Sequence, residues 1–292
     1  MRDAPVAEPN EKREGRCGTM NTKAEMFPSP WLWVHHEISG VSHGRGSPAL
    51  VVLPAIGCSK ECLGLFGAEL ARSRRVLLCK PAVGGASRSA RGLPSTRRLA
   101  SDVLGVLERR GIKTFDLIGV SLGGMVAQWM AIDAPSQVRQ LILASTAGRG
   151  LRRAEISADE AQAEARCLVF TGDQTSSRAE TPGAEVFASP TERQMSDRNA
   201  RHRSDLAWLS AAASKHDAID PLRTLQCPTL ILSGSGDRLI PIEVQHELQN
   251  AIPHATHAFV ENAGHDVLSE RPIETAGLIL GFDAMVSERE AG

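Results

Sequence analysis

The stretch Gly119-Val120-Ser121-Leu122-Gly123-Gly124 decides how the remaining chain is read. An apolar run, Phe115 to Gly119, leads into it, and Met125, Val126 and Met130 follow at helical spacing. Ser121 is therefore expected on the turn between a buried strand and a helix. A serine pinched into such a turn needs small neighbours. A side chain at Gly119 or Gly123 would collide with the adjoining strand or helix, and Gly124 lets the helix press close to the sheet. A Gly-rich turn can also serve packing alone, and G-x-S-x-G occurs by chance often enough that its context must decide.

That context is a chain of alternating strands and helices. Ala49 to Leu53 is a short continuous apolar run of the kind buried on both faces of a sheet, closed by Pro54-Ala55-Ile56-Gly57. Leu63, Phe66 and Leu70 mark a helix with Ser59 as its expected N-cap, Arg75 to Cys79 is the next buried strand, and Lys80 to Pro94 is a loop rich in Gly, Ser and Arg. Leu99, Val103, Leu104 and Leu107 trace a helix that Gly111 can end. Val138 to Ala144 is the next strand, followed by Ser145-Thr146-Ala147-Gly148. The rhythm resumes with Thr229 to Ser233, a helix opened by Pro241 and running to about Asn250, and a last strand from Thr256 to Val260. A closing helix from Pro272 places Ile273, Ala276, Leu280 and Met285 on one side. Trp31 to His36 and about Ile38 to His43 read as antiparallel edge strands. The pattern implies an α/β fold, a mostly parallel central sheet with helices on both faces.

Three parts follow from it. Residues 1–27 are polar and without periodicity, and are expected to form a disordered tail. Residues 28–147 and 221–292 carry the sheet rhythm and form one core domain. Between them, residues 148–220 are dominated by Ala, Glu, Arg, Ser and Asp and read as an inserted helical cap, with helices expected over Ser157 to Val169 and Glu192 to Lys215. Thr171 to Pro190 is polar enough to read equally as an unstructured linker.

Lys and Arg number 33 against 34 Asp and Glu, a net charge of -1 that gives no bias toward a nucleic-acid partner. No run approaches the ~20 apolar residues of a membrane span, and the start of the chain lacks the apolar core of a signal peptide, so a cytoplasmic protein is expected. The cysteines form no C-x-x-C pair, and several lie in apolar strand patterns, as buried reduced thiols do. Cys58 and Cys62 could share a helix face, but a metal or redox role for them is the weaker reading.

Serine by itself is a poor nucleophile at neutral pH; hydrolysis needs a base within hydrogen-bonding reach and an acid that orients it. Catalytic groups in open α/β sheets gather beyond the carboxyl ends of the strands. Ser121, Asp237 and His265 each follow an expected strand at that end. Their chain order is that of the nucleophile-elbow hydrolases. The chain resembles the α/β-hydrolase fold superfamily over about Trp31 to Met285. The likeness rests on Gly119 to Met125, on Pro228-Thr229-Leu230-Ile231-Leu232-Ser233-Gly234 with Gly236-Asp237 and Pro241, and on Asn262-Ala263-Gly264-His265. Gly119 to Thr146 is similar to 3-oxoadipate enol-lactonases and to small esterases.

The resemblance implies Ser121 as nucleophile, His265 as general base and acid, and Asp237 as the residue that fixes the imidazole tautomer and stabilises its cation. It implies a small-molecule acyl substrate, no metal and no organic cofactor. An oxyanion hole would use the backbone N–H of Leu122 and a second N–H from the loop after Leu53, where Ile56 occupies the donor position. This chain has Pro54-Ala55-Ile56-Gly57 where relatives often carry His-Gly-x-Gly. It also has Pro81-Ala82-Val83-Gly84-Gly85-Ala86-Ser87 where relatives often show Asp-x-Arg-Gly-x-Gly-x-Ser, for which altered loop packing without loss of activity is expected.

Plainer explanations compete at each position. Ser121 could be structural, and Asp237 could merely cap the helix near Pro241. Asp266 rivals Asp237, although an acid adjacent in sequence to His265 is poorly placed to reach its far nitrogen. His35, His36, His202, His216, His246, His254 and His257 lack an obvious route to the serine and are expected at the surface, whereas His43 is less easily set aside. Trp208 either lines the substrate pocket or packs an amphipathic cap helix on the core. The expected activity is cleavage of a carboxylic ester, thioester or lactone through an acyl-enzyme. Acyl transfer and C–C bond hydrolysis would use the same three residues, and a non-catalytic binding protein could share the fold. The sequence leaves the oligomeric state open.

Overall fold

Strands whose apolar runs have no polar side must be covered on both faces, and the architecture follows from that requirement. The computed structural model describes residues 22–25, 33–38, 48–56, 58, 63–81, 95–151 and 206–291. Its strands are β1 (Thr22–Glu25), β2 (Trp33–Ile38), β3 (Ala49–Leu53), β4 (Val76–Pro81), β5 (Phe115–Val120), β6 (Val138–Ala144), β7 (Thr229–Gly234) and β8 (Thr256–Val260). Its helices are α1 (Gly64–Ala71), α2 (Thr96–Arg109), α3 (Leu122–Asp133), α4 (Ile219–Leu222), α5 (Ile242–Ala251), α6 (Val267–Glu270) and α7 (Pro272–Ala291), and residues 206–214 are also helical. The strands form one sheet in the order β1-β2-β4-β3-β5-β6-β7-β8, with β1 and β2 antiparallel at one edge and the others parallel.

Successive residues of each central strand enter opposite layers. Val51 and Leu53 of β3 pack with α2, α3, α5 and 206–214, whereas Leu50 and Val52 pack with α1, α6 and α7. Leu117 and Leu141 follow the first pattern, Ile118 and Ile142 the second. Helix α3 is buried continuously from Leu122 to Ala131 and so carries no amphipathic stripe. The more exposed α2 does carry one, with Leu99, Ala100, Val103, Val106 and Leu107 inward, and Ser95 caps it by accepting the Arg98 N–H at 3.4 Å.

Three local expectations change. Strand β1 lies within the stretch expected to be a tail. Its residues show no apolar alternation, and its order comes from backbone pairing with β2, from Thr22 opposite Ile38 to Glu25 opposite His35. An edge strand ordered this way leaves no hydrophobic signal. In α7 the buried stripe is Thr275, Ala276, Ile279, Phe282 and Val286, while Ile273 is 58% exposed. Two overlapping stripes satisfy helical spacing there, and the position of the sheet selects one. The N-cap of α1 is Leu63, without a side-chain bond. Ser59, the strand expected beyond Ile38, His43, the loop 82–94, Cys17, Cys62, Cys167, His202 and the insertion from 152 to 205 lie outside the described residues. No described helix is long and apolar enough to cross a membrane.

At the amino ends of the strands a cluster of charges fastens α7 to the sheet. Asp116, fully buried on β5, accepts Nε and Nη2 of Arg139 at 2.8 Å each and is also bonded by Arg74. Asp283 of α7 accepts from both arginines and from Gln140 Nε2, the last at 2.9 Å. Burial opposes the Asp283 charge, but Arg74 and Arg139 outweigh it and hold the carboxyl below its ordinary value. The sequence held no hint of this cluster, whose members lie up to 209 positions apart.

Candidate active site

Ser121 joins β5 to α3 with φ 52° and ψ -119°, on the side of backbone space that residues other than glycine rarely enter. Its neighbours hold it there. Ser121 N donates to Ala144 O at 3.0 Å, and its carbonyl accepts from Gly124 N at 2.9 Å, Met125 N at 3.2 Å and the Thr146 hydroxyl at 2.7 Å. The glycines clear three different neighbours. A Cβ on Gly119 would lie 2.5 Å from the Gly123 carbonyl oxygen, one on Gly123 would lie 2.2 Å from the Leu53 carbonyl oxygen, and one on Gly124 would lie 2.6 Å from the Thr146 side chain. The close approach at Gly123 sets the end of β3 against the start of α3. There Leu122 and the half-buried Ile56 share one apolar cluster.

A second close approach assembles the other two candidates. A Cβ on Gly234, the last residue of β7, would lie 2.2 Å from the Gly264 carbonyl oxygen, and Gly236 N donates to Ala263 O at 2.8 Å. The loops after β7 and β8 therefore lie backbone to backbone. His265 Nδ1 is consequently 3.1 Å from Asp237 Oδ2 and 3.2 Å from Oδ1, with the aspartate side chain fully buried and the histidine 21% exposed. An ionised carboxylate only accepts, so Nδ1 carries the proton and Nε2 keeps a basic lone pair. The N–H groups of Leu239 and Ile240 reach Asp237 Oδ1 at 2.9 and 3.1 Å and offset the cost of burying its charge. Those bonds form a turn and not a helix cap, because the N-cap of α5 is Pro241. The carboxylate at the imidazole is thus that of Asp237, while Asp266 is exposed at the start of α6.

His216 departs from expectation. It is buried, with Nδ1 2.8 Å from Thr96 Oγ1 and Nε2 3.0 Å from Gln128 Oε1. Gln128 Nε2 donates to Ala147 O at 2.9 Å, so its Oε1 must accept from His216 Nε2–H, and the Thr96 hydroxyl donates to Nδ1. Burial pushes the His216 pKa down to about 3. This histidine ties the returning end of the insertion to α2 and α3. His246 and His254 are exposed as expected. His257 is half-buried between Ser233 Oγ at 2.7 Å and Gln249 Oε1 at 3.0 Å. Trp208 lies half-buried on helical residues 206–214, against the cluster that contains Leu122 and Met125. Two residues near the site escaped the sequence reading. Thr146 bonds the elbow carbonyl, and Glu270 bonds the histidine loop. Neither sits in a pattern that local spacing could flag.

The alpha/beta hydrolase family model matches residues 50–278. A pimeloyl-[acyl-carrier protein] methyl ester esterase of Aliivibrio salmonicida is 30% identical over 157 residues, 51% of this chain and 60% of the esterase, so the match spans less than two thirds of that relative. The 3-oxoadipate enol-lactonase 2 of Acinetobacter baylyi is 26% identical over 232 residues, 77% of this chain and 84% of the lactonase. The crystal structure of an enol-lactonase from Burkholderia xenovorans shares the fold with a TM-score of 0.66 at 20% identity, covering 87% of this chain and 97% of that one. With a sheet of this order and a family match over most of its length, the chain belongs to the alpha/beta hydrolase family of enzymes.

Proposed function

We propose that the protein is a serine hydrolase that cleaves a carboxylic ester, thioester or lactone of a small acyl substrate through an acyl-enzyme. Ser121 is the nucleophile, His265 the general base and then acid, and Asp237 the carboxylate that orients the imidazole. The observation that carries this reading is the 3.1 Å contact of His265 Nδ1 with buried Asp237, on loops that follow parallel strands at the end of the sheet where the strained Ser121 turn emerges. Relatives named esterase and lactonase support the ester and lactone class.

The chemistry balances within these groups. Ser121 Oγ attacks the acyl carbon while His265 Nε2 takes its proton, and the carbonyl π pair moves onto oxygen. The N–H groups of Leu122 and Ile56 meet that developing charge, each such donor contributing about 3 kcal/mol to barrier lowering. The carbonyl re-forms, the bond to the leaving oxygen or sulfur breaks, and His265 returns the proton to the leaving group. Water then repeats the sequence on the acyl-enzyme and releases the acid.

A p-nitrophenyl ester series from acetate to decanoate tests the reading, with Ser121→Ala as control. Turnover should fall at least about 10³-fold in the variant, and a fluorophosphonate should label Ser121 of the wild type. Equal turnover by Ser121→Ala, or folded wild-type protein that resists the label, would overturn it.

A further inference from the structure

Glu270 ends α6, the single helical turn that follows His265. Its carboxylate straddles the histidine. Oε2 accepts the Gly264 N–H at 2.8 Å and Oε1 accepts the Asp266 N–H at 3.2 Å, so the backbone groups on either side of residue 265 are held by one planar group. The fit is close, since a Cβ on Gly264 would lie 3.0 Å from Glu270 Oε1. Other bonds seat the earlier part of the loop. Asn262 N donates to Ser235 Oγ at 3.0 Å, Asn262 O accepts from Arg271 Nη2 at 3.1 Å, and Ala263 O accepts from Gly236 N at 2.8 Å. The ties to Ser235 and Gly236 set the loop against the end of β7 and the tie to Arg271 holds it to the end of α6, whereas Glu270 fixes the peptide groups from which the imidazole projects.

Resting on the triad reading above, we propose that Glu270 is a positioning residue for the reaction. It sets the backbone torsions around His265, and through them the line from Asp237 across the imidazole to Ser121. The geometry leaves little slack. The Nδ1 contacts to Asp237 are already 3.1 and 3.2 Å, at the long end of the hydrogen-bond range, so a small outward shift of the loop breaks them. Misplacing a reacting group by about 1 Å costs on the order of 10²-fold in rate. Glu270 is exposed, so solvent screens its charge and the effect runs through geometry. Glutamine in its place keeps one acceptor oxygen for one of the two N–H groups, and alanine keeps none.

The test uses the full chain as wild type, Glu270→Ala, Glu270→Gln and Ser121→Ala. Four quantities are measured: kcat and KM on p-nitrophenyl acetate, the rate of fluorophosphonate labelling of Ser121, the melting temperature, and the downfield proton resonance of His265 Nδ1–H. In Glu270→Ala, kcat and the labelling rate should fall about 10- to 100-fold with KM within about threefold of wild type. The Nδ1–H resonance should broaden by exchange, and Glu270→Gln should lie between the two proteins in every readout. Folded Glu270→Ala with kcat and labelling within about twofold of wild type overturns the proposal, and so does a loss that only tracks the folded fraction. If Glu270→Ala fails to fold, the nearly isosteric Glu270→Gln decides by the same criteria. An inactive Ser121→Ala beside an unaffected Glu270→Ala removes this proposal alone. A fully active Ser121→Ala removes the triad reading, and the proposal with it.

Discussion

Acid should weaken the protein through His216 by an amount that can be worked out. The side chain is 3% exposed, and its pKa is pushed down from 6.5 to about 3 by burial. The unfolded chain takes up a proton as the pH falls through 6.5, whereas the folded protein does not until about 3. Over that window the unfolded state binds more protons, so stability is complete above it and is lost as the pH falls. Between pH 7 and pH 5 the loss is about 2 kcal/mol, and any folded pKa below about 4 leaves that figure unchanged. Below pH 3 the loss levels off near 3.5 pH units' worth, about 5 kcal/mol. His216→Gln removes the titration while leaving polar atoms that can face Thr96 and Gln128. The stability of wild type minus that of the variant should therefore shrink by about 2 kcal/mol from pH 7 to pH 5. Urea unfolding at half-unit intervals measures it, with the carboxylates of the rest of the chain cancelling in the subtraction. Trp129, whose ring meets the imidazole edge-on at 6.3 Å between centroids, supplies the fluorescence signal. A difference that stays constant to within about 0.5 kcal/mol would refute the reasoning, because the imidazole would then titrate alike in both states.

Asp116→Asn leaves Arg74 and Arg139 short of their buried partner and should cost about 3–5 kcal/mol by urea unfolding, with kcat of the folded protein unchanged; a cost near zero would mean water already screens that cluster. Gly234→Ala places a Cβ 2.2 Å from the Gly264 carbonyl oxygen and must push the histidine loop off β7. Its kcat should drop by at least about 10²-fold while the far-ultraviolet circular dichroism stays that of wild type, and wild-type kcat would show that the loop can give way without moving His265.

The chain makes clear why some of this was legible in advance. Strand β3 begins and ends where its apolar run does, because a strand covered on both faces exposes no residue that could blur its limits. The three candidate triad residues could be named because each follows an expected strand at the same end of the sheet. His216 could not be placed, since one histidine in a polar segment carries no periodicity, and its burial depends on Thr96 and Gln128 from two helices distant in sequence. Glu270 was equally silent, because its carboxylate meets backbone groups that any residues would supply.

By itself, the sequence determined the layered sheet, the strained turn at Ser121 with its three glycines, and the chain order of serine, aspartate and histidine. All of these are written in short windows, where apolar spacing and the absence of a Cβ act locally. The tertiary structure decided which carboxylate meets His265, which histidine is buried, and what ties the histidine loop down. Those outcomes depend on the parallel register that brings Gly234 against Gly264, and on charges and amides far apart in the chain that become neighbours only when the sheet closes.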